Sequence, residues 1–145
     1  MIEEGLAVIN QLIHEEHPFL FKAALRYIAS VHASKMGFAD LFKQLKRHVK
    51  DDNDCWRECV RVKRGMANTA EKGGYYKDQS YLIGAISLLL NRKNIDFKKI
   101  FYGKLSPEET KNLTNGVLPP FLDSEEKQKH YMKRLDTMAL CNFVD

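Results

Sequence analysis

Leu6, Ile9 and Ile13, with Val8 and Leu12 beside them, recur at the spacing of one helical face and predict a buried helix over residues 3 to 16. His17-Pro18 ends it, because a proline disfavours helical geometry in the residue before it. Pro18 suits the first turn of a second helix, where its missing N–H is not needed. That helix carries Phe19, Leu20, Ala23, Ala24, Tyr27, Ile28 and Val31, and closes near Gly37. Phe38 to Val49 predicts a third helix, with Leu41, Phe42 and Leu45 inward and Lys43, Lys46, Arg47 and Lys50 outward. Asp51, Asp52 and Asn53 form a polar link and cap a fourth, Asp54 to Lys63, which Gly65 stops. Met66 to Tyr76 has no helical period and contains Gly73-Gly74, so it reads as a loop. Asp78 is expected to cap the most hydrophobic helix, Gln79 to Asn91, and a short helix follows around Ile95 to Phe101. Ser106-Pro107-Glu108-Glu109 signals another start. Val117-Leu118-Pro119-Pro120-Phe121 reads as extended, and Ser124 to Leu140 as a last helix. Nothing alternates convincingly at period two and no repeat is visible. The expectation is an all-α or helix-dominated region of about seven helices, residues 1–145, with no internal boundary.

Composition narrows the class without naming a function. The 145 residues are 44% hydrophobic and 29% charged, which is ordinary for a globular chain. A formal charge of +4 favours an acidic partner. No dense Lys/Arg stripe interleaves with aromatics, so nucleic acid is not expected as a partner. The longest apolar run, Ile86 to Leu90, is broken by Ser87 and is far too short to span a bilayer. Cys55, Cys59 and Cys141 are an odd number of cysteines behind no secretory leader, so reduced thiols in a cytoplasmic protein are expected. Met1-Ile2 runs directly into a helical pattern, which suggests a piece of a longer polypeptide.

Four groups of residues carry candidate chemistry. Glu4, in Glu3-Glu4-Gly5-Leu6-Ala7, is a carboxylate on a first helical turn beside small residues, a place from which it can approach a metal held by another helix. Zinc needs three protein ligands, and no His-Glu-x-x-His or His-Glu-x-x-x-His is present to complete such a site. His14-Glu15-Glu16-His17 places its histidines at i and i+3 rather than i and i+4, so they are expected on the surface. Cys55 and Cys59 lack the two-residue gap of metal and redox pairs and are expected to pack. Lys63-Arg64-Gly65 and Gly73-Gly74-Tyr75-Tyr76-Lys77-Asp78 flank the loop with cations, rings and glycine backbone. This loop reads either as an anion site suited to a peptide's C-terminal carboxylate, with Arg64 and Lys77 as its cations, or as a solvated connection.

Glu3-Glu4-Gly5-Leu6-Ala7, Cys59-Val60-Arg61-Val62-Lys63-Arg64-Gly65, Lys77-Asp78-Gln79-Ser80-Tyr81-Leu82-Ile83-Gly84, Ile95-Asp96-Phe97 and Gly103-Lys104-Leu105-Ser106 occur in order. Together they resemble the C-terminal half of the tyrosine carboxypeptidase family, which includes microtubule-associated tubulin-detyrosinating enzymes and bacterial proteins named for a QEGLA motif. The resemblance runs from Glu3 to about Phe121. It implies a larger gluzincin-like zinc metallopeptidase fold, with two histidines and a general-base glutamate supplied by an upstream His-Glu-x-x-x-His helix and the third ligand by Glu4. It further implies release of a C-terminal tyrosine or phenylalanine from acidic protein tails such as tubulin's, in a cytoplasmic, cytoskeleton-associated setting. Without the histidine helix, supplied in cis or in trans, the chain is expected to be inactive and to bind no zinc stably by itself. The alternative is a non-catalytic helical interaction module that binds acidic peptide tails.

Overall fold

The computed structural model describes residues 2–94, 96–101 and 118–144, and among them helices account for the regular structure with no strand. In chain order they are α1 (Ile2–Leu12), α2 (Phe21–Ala33), α3 (Phe38–Leu45), α4 (Asp52–Lys63), α5 (Gln79–Leu90), α6 (Phe97–Ile100), a 3-10 turn (Pro120–Leu122) and α7 (Glu125–Cys141). The start signal at Ser106-Pro107-Glu108-Glu109 and the Gly103-Lys104-Leu105-Ser106 segment lie outside the described residues. So do Ile95 and Val117, whereas Leu118 and Pro119 are non-helical and lead into the 3-10 turn.

The chain divides into two compact units, Met1–Leu20 with Ile83–Asp145, and Phe21–Leu82. In the first, Ile9 on α1, Leu88 and Leu89 on α5, and Leu135 and Met138 on α7 are fully buried, together with Ile13 just past α1 and Leu122 in the 3-10 turn. The helix pairing near the N-terminus depends on missing side chains. A Cβ on Gly5 would lie 2.2 Å from the carbonyl carbon of Gly84 and 2.4 Å from the nitrogen of Ala85. The backbones of α1 and α5 therefore touch, a distance only glycine permits.

α7 fastens the segment that follows α1. Arg134 Nε donates to the Ile13 carbonyl at 2.7 Å, another of its nitrogens donates to the Glu15 carbonyl, and Tyr131 Oη donates to Asn10 Oδ1 at 2.8 Å. The two Arg134 bonds satisfy carbonyls that a helix end would leave orphaned, so α1 stops at Leu12 instead of running to residue 16. Asn142 performs the same service further on. Its Oδ1 accepts from the Leu20 N–H at 2.8 Å and its Nδ2 donates to the Pro18 carbonyl at 2.9 Å. That pairing holds residues 18–20 out of helical geometry, and α2 begins at Phe21 rather than at Pro18.

In the second unit, α2, α3 and α4 bury Leu25, Ala29, Ala33, Leu41, Leu45, Val49, Cys55, Cys59 and Val62 in one cluster, with Ile28, Met36, Phe38 and Phe42 packed against it. α3 ends at Leu45, and Val49 is still buried through the turn beyond it. Asp51 is the N-cap of α4 and accepts from the Asp54 N–H at 2.8 Å.

Gly5→Ala tests the helix pairing in the first unit. The added methyl must displace backbone rather than a flexible side chain, so a loss of about 2–3 kcal/mol is expected, at the upper end for overpacking. Urea unfolding of Gly5→Ala beside wild type measures it, and an unchanged midpoint would refute the backbone contact.

Candidate functional site

Glu4 lies in the first turn of α1, half-buried, with Oε2 shielded from solvent. Gly5 fixes that turn by its contact with Gly84 and Ala85, so the position of the Glu4 backbone is set by helix packing. A half-buried carboxylate on a rigid turn is chemically suited to serve as one zinc donor. Among the described residues no three His, Cys, Asp or Glu side chains gather to hold a metal. The donor set within those residues therefore fits a single contribution from Glu4. His14 and His17 are exposed beyond the end of α1, and His17 Nε2 lies 4.0 Å from the exposed Glu16 carboxylate, as expected for surface histidines.

The loop after α4 is organised by a lysine. Lys63 is 1% exposed, and its Nζ donates to the carbonyls of Met36 at 2.7 Å, Glu71 at 2.7 Å and Gly73 at 2.8 Å. Three donors meet three acceptors, so the ammonium is satisfied without a carboxylate. Burial pulls its pKa below the usual lysine value, and the nearby Cys59 opposes that shift. Backbone bonds complete the attachment, with Gly73 N–H on the Ala33 carbonyl at 2.7 Å and Tyr75 N–H on the Val62 carbonyl at 2.6 Å. Gly73 takes φ +118°, a conformation open to glycine, and a Cβ on Gly74 would lie 2.7 Å from the Val62 oxygen. The loop thus has one conformation imposed on it from three directions.

That conformation delivers Tyr75 and Asp78 to two arginines. Arg64 grips Asp78 with both arms, Nη1 to Oδ2 at 3.0 Å and Nη2 to Oδ1 at 2.9 Å, and its guanidinium lies 3.7 Å from the Tyr75 ring centroid. Arg61 Nε donates to Asp78 Oδ2 at 2.5 Å. Burial alone would raise the Asp78 pKa, but the hydrogen bonds and charges of Arg64 and Arg61 outweigh it and hold the carboxyl below its usual range. The Asp78 side chain, expected to cap α5, instead spends both oxygens on arginines. Of the two cations expected to take a carboxylate, Arg64 holds Asp78 and Lys77 is exposed.

A neighbouring group escaped the sequence reading. Arg26 on α2 and Arg61 on α4 both hold their guanidinium carbons 5.9 Å from the centroid of the Tyr81 ring. Arg26 Nε lies 3.6 Å from Glu58 Oε2, an ion pair without a hydrogen bond. The one available signal was Glu58 and Arg61 at i and i+3 on one helix face. Cys55 and Cys59 are wholly buried, and Cys55 Sγ donates to the Phe42 carbonyl at 3.4 Å. Burial pushes the Cys59 thiol up to about 12, which makes it an inert packing group at neutral pH.

Two substitutions test this loop. Lys63→Met keeps the stem and removes three charge-assisted bonds, so a loss of about 3 kcal/mol is expected, with faster amide exchange at Gly73 and Tyr75. Exchange rates equal to wild type would show that the ammonium does not hold the loop. Asp78 carries a depressed folded pKa, so the unfolded chain binds its proton more readily. Its stabilisation is therefore complete above the unfolded value near 3.8 and disappears as pH falls through the folded value. Asp78→Asn should unfold more easily at pH 7 and lose the part of the acid-side slope that Asp78 supplies. Parallel stability–pH curves for the two proteins would contradict the assignment.

Comparison with known proteins agrees with these motifs. The family model described as microtubule-associated tyrosine carboxypeptidase matches residues 1–137. The chain is 39% identical over 136 residues to microtubule-associated tyrosine carboxypeptidase 1 of Rattus norvegicus, covering 92% of this chain and 28% of that protein. It is 38% identical over 150 residues to the Homo sapiens protein of the same name, covering 99% of this chain and 31% of that protein. MATCAP2 of Mus musculus is 39% identical over 140 residues, covering 92% of this chain and 27% of that protein. The chain thus spans less than a third of the length of the curated relatives it matches. With most of its length matched by that model, the chain belongs to the microtubule-associated tyrosine carboxypeptidase family.

Proposed function

We propose that this chain forms part of a zinc carboxypeptidase that removes a C-terminal tyrosine, or phenylalanine, from acidic protein tails such as tubulin's. The observation that carries the reading is the Glu4 turn, fixed by a glycine whose Cβ would strike backbone at 2.2 Å, in a chain of this family. Glu4 would be one ligand, and zinc would supply Lewis-acid polarisation of the scissile carbonyl. The other donors and the general base would come from sequence beyond this chain, in cis or in trans. Residues Phe21–Leu82 contain 13 Lys and Arg against seven Asp and Glu, leaving +6, which suits attraction of an acidic tail. Lys77, exposed, would contact the substrate's terminal carboxylate, and Arg64 would hold the loop through Asp78 and Tyr75. The names of the relatives support a place on microtubules, and no helix among the described residues is long and apolar enough to cross a membrane.

The other reading, a non-catalytic module for acidic tails, draws on the same +6 charge but needs neither zinc nor Glu4. The natural polypeptide carrying this sequence, purified from its source, separates the two. Wild type should contain zinc and release tyrosine from an acidic peptide ending in tyrosine. Glu4→Gln should lose at least about 100-fold in turnover together with zinc content, since even outer partners of metal ligands are worth 10–100-fold. A native mass of 16.8 kDa, without zinc or turnover, would leave the binding module as the function.

A further inference from the structure

Arg64 commits both of its terminal nitrogens within the fold, whereas two arginines beside it do not. Its two terminal nitrogens are on Asp78, one of them also donates to the Arg61 carbonyl, and its face covers Tyr75. Arg61 uses only Nε, on Asp78, and among the described residues no hydrogen bond uses its terminal nitrogens. Arg26 makes no hydrogen bond there either, and its Nε is shielded from water 3.6 Å from Glu58. Both side chains are partly open to solvent, at 26% and 36% exposure, so a ligand has access to their forks. They share one aromatic ring, Tyr81, and the next residue back, Ser80, has a buried hydroxyl with no hydrogen-bond partner. Arg61 thus keeps terminal nitrogens that no acceptor among the described residues takes, and Arg26 is held by an ion pair with Glu58 rather than by a hydrogen bond, which leaves guanidinium donors for an added oxyanion.

The geometry points to Arg26 and Arg61, on either side of the Glu58 and Tyr81 contacts, as a binding site for a carboxylate. The charge of the cluster selects the ligand class. Arg26, Arg61 and Arg64 face Glu58 and Asp78, leaving one uncompensated positive charge, which a monoanionic carboxylate neutralises and a phosphate dianion exceeds. Planar carboxylates are already the partners of these arginines, since Asp78 lies across Arg61 and Arg64. This inference rests on the carboxypeptidase reading for its substrate, a peptide's C-terminal carboxylate, and adds Arg26 and Arg61 to Lys77 in that recognition.

The test uses the natural polypeptide carrying this sequence, with N-acetyl-tyrosine, N-acetyl-tyrosinamide and inorganic phosphate as probes, followed by calorimetry and by NMR of the arginine Nε–H groups. N-acetyl-tyrosine should bind and shift the Arg26 and Arg61 signals, and the amide should not. Arg26→Gln should weaken that binding at least tenfold in a protein that still folds by circular dichroism, since the Arg26 side chain makes no hydrogen bond among the described residues, and Arg26→Lys, which keeps the charge beside Glu58, should recover part of it. Equal binding of acid and amide, full affinity in Arg26→Gln, or tighter binding of phosphate would overturn the site. Loss of affinity in Lys77→Ala with Arg26→Gln unaffected would also overturn it, while leaving the carboxypeptidase reading intact. Binding as described, in a native polypeptide that releases no tyrosine, would overturn that reading and leave the carboxylate site standing.

Discussion

An ammonium group with no counter-ion among the described residues governs the second unit. Lys63 Nζ is buried and shared among the carbonyls of Met36, Glu71 and Gly73. Removing a charge from water is costly unless its donors are matched, and here each of three protons has an oxygen. The match is tetrahedral, so a planar guanidinium would leave acceptors unfilled. Because the three carbonyls come from the link after α2 and from the loop, one side chain on α4 ties both segments together. Tyr75 and Asp78 reach the arginines only because that segment is held.

The glycines make the same point in backbone terms. Gly37 brings its backbone so near Ala70 that a Cβ would lie 2.1 Å from that carbonyl oxygen, and Gly74 does so beside Val62. These approaches leave little room for the loop to move without breaking bonds to Lys63. The first unit is tied differently. There α7 and its C-cap reach with Arg134, Tyr131 and Asn142 to α1 and the segment after it, and Arg92, just beyond the end of α5, pairs with Asp136 at 2.7 Å. The polar side chains of one helix fasten chain segments more than 100 residues away in sequence.

How far the sequence revealed this depended on the range of the interactions. Helix positions were legible because burial at Leu6, Ile9, Leu41, Leu45 and Cys59 imposes a local period that the structure keeps. The ends of α1 and α2 were not, because Arg134 and Asn142 decide them from the other end of the chain. Asp78 looked like a helix cap for the same reason, since a local signal cannot show that Arg61 and Arg64 compete for its oxygens. Lys63 stood next to Arg64 in a run of cations, where one lysine is buried and the next residue half-exposed, and nothing in the run distinguishes them. Glu4 was legible as a candidate ligand through its motif, and the structure adds the reason that a glycine must follow it.

The placement of charge then separates structural cations from binding ones. A cation that holds the fold has its donors satisfied within the chain, as Lys63 does with carbonyls and Arg64 does with Asp78. Cys59 reinforces this division, since a thiol held protonated near Lys63 brings no negative charge into that core. A cation kept for a ligand must have donors left over and still be reachable from water, and it must not be free to collapse onto a neighbouring acid. Arg61 meets those conditions because Asp78 holds it by Nε alone, and Arg26 is already fixed by its ion pair with Glu58 while its hydrogen-bond donors remain unused among the described residues. Both guanidiniums lie 5.9 Å from the centroid of the Tyr81 ring, a cation–π contact that consumes no N–H. An aromatic contact of that kind favours two like charges side by side while leaving their hydrogen-bonding capacity for an anion.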